Sequence, residues 1–505
     1  MTTFNIHGIY RDLLALLSGF LLTMAFAPFE YSYLAPLALV ILFASWINAS
    51  PTRALLRGYL FGLGSFGLGI SWVYISIHDF GGVPIVESVL ITVLCVTFWA
   101  LFPAIAGWLS IKTLGQSNAF VTPVVWILIE YLRGYLFLNG FPWLLVAYSQ
   151  LDTPLAGYIP ILGVYGTGFI IAITASFGLH VLFRQKRWRL AMVFIAVLWL
   201  AGYGLQQKKW TFPIGGAIDV VLIQGNITQD QKWQPENRLN TLLSYKKMTE
   251  DNWGADVIVW PETAIPAFYS QVNEVFLKPL KQAAIAHHTD LIVSLPMEGK
   301  KEDEIYNAVI TLGKSTGIYR KDHLLPFGEY MPLQPFSGWV LKNLNIGLGD
   351  FTAGGKHQPL LTAGGHPFMT SICYEDAFGD AAIGNLPEAA YLVNVTNDGW
   401  FGNSLEPYQH LQVARMRALE TGRYMLRATN TGATAVIAPN GTITASAPLF
   451  NTTTLSAKIV PMGGRTPYVV LGDIPVIVML TSFYLLLKAY KSKKIRRLFT
   501  AIIPI

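Results

Sequence analysis

Apolar positions are spread unevenly along this chain. Up to about residue 206 they come in long, nearly unbroken runs at Leu13–Ala27, Tyr33–Ile47, Tyr59–Ile77, Val86–Ile111, Phe120–Leu138, Ile159–Phe183 and Leu190–Leu205, and an eighth follows at Tyr468–Leu487. A helix crossing a bilayer needs about 20 mainly apolar residues. The pattern therefore predicts eight transmembrane helices, the first two forming a short hairpin turned at Pro28-Phe29-Glu30. Ala25-Phe26-Ala27 imitates a signal-peptidase site, but Pro28 directly after it would obstruct cleavage, so an uncleaved anchor is expected.

From about Ile218 the period changes. Short β-rich runs (Val220–Gln224, Val257–Trp260, Leu291–Leu295, Phe368–Ile372, Tyr391–Val395) alternate with helical stretches such as Glu236–Asn252 and Val272–His287, punctuated by Pro and Gly. Such alternation predicts a layered α/β domain. The expected organisation is a membrane domain over 1–206, an α/β domain over 217–463, the last span at 468–487 and a tail over 488–505.

Composition agrees: 52% of the 505 residues are hydrophobic and 13% charged, against about 25% charged in an ordinary soluble chain. The net charge of +6 does not signal nucleic acid. Lys488, Lys491, Lys493, Lys494, Arg496 and Arg497 follow the last span with no acidic residue among them, which leaves the rest of the chain neutral. Such a tail suits an anionic leaflet. Arg11, Arg53, Arg57, Lys112, Arg184, Lys186, Arg187 and Arg189 fall on the same side as the tail, and the opposite short loops, Pro28–Ser32 and His78–Ile85, carry no Lys or Arg. Both termini are expected in the cytoplasm and the α/β domain outside it, although Lys208 and Lys209 lie on the minority side.

The candidate chemistry lies in the α/β stretch. Val257-Ile258-Val259-Trp260-Pro261-Glu262, then Tyr319-Arg320-Lys321, then Ser371-Ile372-Cys373-Tyr374-Glu375 place a carboxylate, an ammonium and a thiol at successive strand ends. A thiol attacks carbonyls as thiolate. A carboxylate can take its proton, and an ammonium favours the anion and the charged tetrahedral intermediate. The bland readings are a helix-capping Glu262, a solvated Lys321 and a small buried Cys373. Cys95 lies within an apolar run, so no disulfide with Cys373 is expected. His287 and His288 are adjacent and face differently on a helix, and no metal-ligand spacing is present; no metal or cofactor is expected.

The order Glu, Lys, Cys resembles the nitrilase superfamily. Together with Tyr306-Asn307-Ala308, Pro326-Phe327-Gly328-Glu329, Asn397-Asp398-Gly399-Trp400-Phe401-Gly402, Glu130-Tyr131-Leu132-Arg133-Gly134 and Gly140-Phe141-Pro142-Trp143, the whole chain resembles the bacterial apolipoprotein N-acyltransferases. Gly399 departs from the alanine common there. The resemblance implies a nitrilase-like αββα sandwich facing the periplasm, carried by a polytopic helical domain in the bacterial inner membrane. It also implies transfer of an acyl chain from a phospholipid, through a Cys373 thioester, to the α-amino group of the diacylglyceryl-cysteine of an apolipoprotein. Glu262 would be the general base, and Lys321 would stabilise the oxyanion with a backbone N–H near Tyr374. Glu329 would hydrogen-bond the lysine or orient substrate, and Glu375 also matters, with structural salt bridges as the competing reading for both. Trp233, Asn307, Tyr374 and Trp400 resemble pocket-wall or positioning residues, against plain core packing.

Four features stay open at this level. Glu130 and Arg133 share one face of span five, either as a functional pair or as an interfacial one. Met331–Asp350, with Phe336, Trp339, Val340, Leu341, Leu344 and Ile346, and the Gly399–Gly402 stretch read either as mobile apolar flaps or as buried covering loops. A membrane-anchored amidase, with water in place of the amine, is the alternative enzyme. A transporter with an inactive nitrilase-like domain is disfavoured, because spans two to seven lack a second set of midplane charges.

Overall fold

The computed structural model describes residues 6–114, 120–301, 304–332 and 351–491. Two compact units emerge: Met1–Ser71 with Val89–Lys208 and Leu471–Ile505, and Trp72–Ser88 with Lys209–Val470. The Phe336–Ile346 stretch and Lys493, Lys494, Arg496 and Arg497 of the tail lie outside the described residues.

The first unit is helical, and each of the eight apolar runs falls on a helix. Among the described residues, Ile85–Thr113, Pro154–Leu182 and Trp188–Gln206 are long and apolar enough to cross a membrane, with a fourth if the broken pair Pro51–Gly69 and Val73–Phe80 is one span. Leu34–Trp46 has 13 residues, which at about 1.5 Å each falls short of the ~30 Å hydrocarbon core. The run expected to continue to Ile77 ends its helix at Gly69, and the chain from Trp72 belongs to the second unit.

Small residues let the helices of this unit touch backbone to backbone. A Cβ on Gly19 would overlap the Phe61 carbonyl, and one on Gly64 the Leu16 carbonyl, so Ile6–Thr23 seats directly on Pro51–Gly69. Pro51 opens the latter helix, with the Ser50 hydroxyl accepting from Arg53 N at 3.2 Å. On Trp188–Gln206 the side chains of Leu190, Val193, Val197 and Leu200 point outward, an apolar exterior that water would not favour. Glu130 and Arg133 are buried on Val121–Tyr135. Arg133 Nη1 donates to the carbonyls of Phe141 (2.8 Å) and Trp143 (2.6 Å), and Glu130 Oε1 accepts from Val146 N at 3.4 Å. The two charges thus clamp the irregular segment 140–146, which gives them a structural role.

The second unit contains strands β1 (Thr211–Pro213), β2 (Ile218–Gln224), β3 (Val257–Val259), β4 (Asp290–Glu298), β5 (Ile305–Leu312), β6 (Ile318–Arg320), β7 (Leu361–Ala363), β8 (His366–Ile372), β9 (Tyr391–Thr396), β10 (Met425–Thr429), β11 (Ala435–Ile437), β12 (Ile443–Ser446), β13 (Thr453–Ile459) and β14 (Met462–Gly464). They form two six-stranded sheets, ordered β13-β2-β3-β4-β5-β6 and β12-β11-β10-β9-β8-β7, and a small β1-β14 pair. At the centre of each sheet the strands are parallel: β2, β3 and β4 in one, β8, β9 and β10 in the other. β3 and β9 are buried along their whole lengths, as befits strands covered on both faces.

The core explains the layering. Val220, Leu222, Val257 and Val259 of one sheet pack against Phe368, Tyr391, Val393 and Leu426 of the other. On the outer face of the first sheet, Val221, Ile258 and Leu291 meet Leu242 and Tyr245 of helix Pro235–Glu250 and Leu280 of helix Lys278–Ala286. On the outer face of the second, Met369, Leu392 and Met425 meet Ala414 and Ala418 of helix Glu406–Thr421. The result is a four-layer αββα sandwich.

Candidate active site

The candidate residues gather where the strands end. Glu262 follows β3, Lys321 directly follows β6, and Cys373 directly follows β8. Trp260 anchors the first of these turns: it is fully buried, stacks on Tyr245 at 5.0 Å and donates from Nε1 to Thr249 Oγ1 at 3.0 Å. With Trp260 held in the core, the next two residues turn out of the sheet and bring Glu262 round. Its side chain caps no helix; Oε1 accepts from Asn307 Nδ2 at 2.7 Å.

Lys321 is no solvated lysine, being only 1% exposed. Its backbone N donates to the Asn307 carbonyl at 2.8 Å, continuing the β5–β6 ladder by one residue. Nζ lies 2.8 Å from both carboxylate oxygens of Glu329. Asn307 Nδ2 reaches Glu329 Oε1 as well, at 3.3 Å. An amide nitrogen between two carboxylates fixes the orientation of that side chain. Asn307 therefore links the two acids.

Cys373 sits at φ 53°, in the left-handed region, and starts the turn Cys373–Ala377. A non-glycine residue holds that conformation only where its surroundings impose it. Two anchors do so. Asn394 Nδ2 donates to the Cys373 carbonyl at 3.2 Å. Glu375 reaches back to Ile372 N at 2.8 Å and also accepts from Asp322 N (2.8 Å), His323 N (3.0 Å) and the Tyr319 hydroxyl (3.0 Å). This one carboxylate fastens the loop after Lys321 to the turn that bears the thiol.

Electrostatics couples the set. Burial pushes the Cys373 thiol up to about 12; Glu262 adds to the rise and Lys321 opposes it. Burial also raises Glu262, with Lys321 opposing and Glu329 reinforcing. For Lys321 burial works downward, but Glu329, Cys373, Glu262 and Glu375 outweigh it and hold the ammonium above its ordinary value. Burial lifts Glu375 to about 7 against Lys321 and its backbone donors. Burial thus raises both the thiol and the Glu262 carboxyl, beside an ammonium held above its ordinary value.

The remaining sequence candidates divide. Tyr374 is buried edge-on against Phe378 at 5.3 Å. Trp400 is 37% exposed and meets Phe80 edge-on at 6.4 Å. Its neighbour Phe401 packs on Trp72 at 4.9 Å, so the Gly399–Gly402 stretch is a seated turn. Trp233 stands 48% exposed at the end of the short helix Gln229–Lys232. The adjacent Lys232, which sequence reasoning passed over, is the residue that turns inward. Its Nζ donates to the Glu262 carbonyl (3.1 Å) and to Thr263 Oγ1 (2.6 Å), and burial lowers it to about 8 against the pull of Glu262. A lysine beside a tryptophan gives no cue about which of the two is buried. Asp398, Glu406 and His410 bring possible metal-ligand atoms within 4.8 Å of one another, but the Arg427 guanidinium lies 2.9 Å from Asp398 and opposes a cation there.

The sandwich has the fold of a carbon–nitrogen hydrolase domain: the family model Carbon-nitrogen hydrolase matches residues 220–468. Another, Apolipoprotein N-acyltransferase N-terminal domain, matches residues 18–177. The chain is 50% identical over 470 residues to the apolipoprotein N-acyltransferase of Methylococcus capsulatus, covering 92% of this chain and 93% of that protein. It is 40% identical over 473 residues to that of Nitrosomonas europaea, covering 92% and 95%. The crystal structure of a nitrilase-superfamily member from Saccharomyces cerevisiae covers 50% of this chain and 93% of its own, with 18% identity and a TM-score of 0.38. The chain belongs to the apolipoprotein N-acyltransferase family.

Proposed function

We propose that this chain transfers an acyl group from a phospholipid to the α-amino group of the diacylglyceryl-cysteine of apolipoproteins, the last acylation in lipoprotein maturation. The observation that carries the mechanism is the convergence of Glu262, Lys321 and Cys373 in one electrostatically coupled cluster at the strand ends. Glu262 takes the Cys373 proton as sulfur attacks the ester carbonyl. The oxyanion faces Lys321 and a backbone N–H near Tyr374. Collapse expels the lysophospholipid oxygen, which leaves with the proton held by Glu262, and a thioester remains. The amine then attacks and gives a proton to Glu262, which returns it to the departing sulfur. Because the first product leaves before the second substrate reacts, the kinetics are ping-pong.

The same proposal takes the eight apolar runs as eight spans in the bacterial inner membrane, with boundaries at 1–206, 217–463, 468–487 and 488–505. Both termini are cytoplasmic and the catalytic domain is periplasmic. The one-sided basic loops support this orientation. Phospholipid labelled in its acyl chain should leave hydroxylamine-sensitive label on the Cys373 peptide, and a diacylglyceryl lipopeptide should discharge it. Cys373→Ala should take no label. Full turnover by Cys373→Ala would overturn the covalent route, and ammonia release from small amides without lipopeptide acylation would favour an amidase.

A further inference from the structure

Beneath the nucleophile turn lies a closed ring of buried charges that the acyl-transfer steps above do not use. His410, on helix Glu406–Thr421, has Nε2 3.0 Å from Asp376 Oδ1 and Nδ1 3.0 Å from Asp398 Oδ1. Arg427, on β10, reaches the other oxygens of the same two acids, Asp376 Oδ2 at 3.3 Å and Asp398 Oδ2 at 2.9 Å. Asp376 belongs to the turn Cys373–Ala377, and Asp398 begins the turn that carries Trp400. All four side chains are at most 1% exposed.

The geometry sets the protonation. A neutral imidazole has one N–H and one lone pair, and here each nitrogen faces a carboxylate, so both must donate. His410 is then a cation, and with Arg427 it balances Asp376 and Asp398. Glu406 is the further acid at the ring, 3.3 Å from Nδ1. Burial and Asp398 raise it to about 7.

The ring reaches the reacting residue through one side chain. Arg427 Nη1 donates to Asn394 Oδ1 at 2.6 Å, and Asn394 Nδ2 donates to the Cys373 carbonyl and to Ser371 Oγ at 3.0 Å. We propose that His410 and Asn394 are positioning residues for acyl transfer: the ring locks the Asp376 and Asp398 turns to β10, and Asn394 passes that rigidity to the Cys373 backbone. Cys373 keeps its left-handed conformation, and its thiol stays within reach of Glu262, because this carbonyl is held.

The inference rests on the thioester reading, and the test separates the two. Full-length protein in detergent is given acyl-labelled phospholipid at several concentrations, and single-turnover labelling of Cys373 is followed beside thermal melting. His410→Gln can donate to only one of the two acids. Its saturating acylation rate should fall by about 10²-fold, the order expected for an ångström-scale misplacement of a reacting group. Asn394→Ala keeps all four charges and removes the bridge from Arg427 to the Cys373 carbonyl, together with the bond to Ser371 Oγ; its saturating rate should fall about tenfold. In both, the half-saturating phospholipid concentration should stay within about twofold, because both side chains are buried beneath the turn. A wild-type saturating rate in either folded variant, or a loss confined to half-saturation, would overturn the proposal. Loss of cooperative melting in both would assign the ring to folding alone and overturn it too. Absence of label on wild-type Cys373 would instead sink the thioester reading.

Discussion

Replacing Lys321 by methionine removes the ammonium and keeps most of the stem. Nζ lies 2.8 Å from both oxygens of Glu329, and the side chain is buried, so Lys321→Met strands a carboxylate in a desolvated site. Glu262 is joined to the same acid through Asn307, so two acids would then share one amide without the Lys321 ammonium. Removing one partner of a buried pair costs about 3–5 kcal/mol, and like charges at this range force one acid to keep a proton. The second substitution, Glu329→Gln, removes the stranded charge and should recover most of that stability. It should not recover chemistry: loss of an oxyanion-stabilising group costs about 10²–10³ in rate, or about 2.7–4 kcal/mol. Melting in detergent and single-turnover acylation of Cys373 measure the two quantities on one preparation. If Lys321→Met with Glu329→Gln acylates within about tenfold of wild type, Lys321 does not stabilise the oxyanion. A single variant that melts like wild type would show that the pair carries no buried charge imbalance.

Because burial raises Glu262, acylation should fall with decreasing pH through a midpoint above the ordinary carboxylate value of about 4.3. Lys232→Met removes a cation that opposes this shift and should move the acid limb to higher pH; an unmoved limb would detach Lys232 from the base. The resting Cys373 thiol, pushed up to about 12, should be alkylated by iodoacetamide at a rate that climbs about tenfold per pH unit from neutrality without a plateau below pH 10. A plateau near pH 7 would mean a standing thiolate. Glu375→Gln exchanges one acceptor oxygen for a donor, leaving a backbone N–H such as that of Ile372 unmet at a cost of about 1–3 kcal/mol. Amide exchange at Ile372, Asp322 and His323 should quicken together, and unchanged protection would remove Glu375 as the fastener.

Apolar periodicity located the helices and most long strands because each run answers to a local rule. The three site motifs were legible for a related reason: a β-rich run ends, and a reactive side chain follows at once. Helix Glu406–Thr421 shows where such reading stops. Its sequence is rich in Glu, Gln, His and Arg, which ordinarily marks a solvated face, yet 13 of its 16 residues are buried. His410 meets Asp376 and Asp398, Arg415 the Gly441 carbonyl and Gln409 the Trp72 indole, and no local pattern announces partners that distant. Lys232, beside the expected Trp233, escapes notice for the same reason: its burial is decided by Glu262 and Thr263, about thirty residues away. The third apolar run shows the converse, since hydropathy continues past Gly69 while the chain passes into the second unit.

Glu262 and Lys321 come from one sheet, and Cys373 from the other. Glu262 follows β3, Asn307 lies on β5 and Lys321 follows β6, whereas Cys373 follows β8 across the apolar layer of Val257, Val259, Phe368 and Val393. In the proposed mechanism that layer is the spacer that sets the gap between the Cys373 thiol and Glu262. Shaving a methyl group from it costs about 0.5–1.5 kcal/mol of stability and lets one sheet settle against the other. Proton transfer is far steeper in distance, so drift in these interior side chains would show first as altered turnover in a protein that still folds normally.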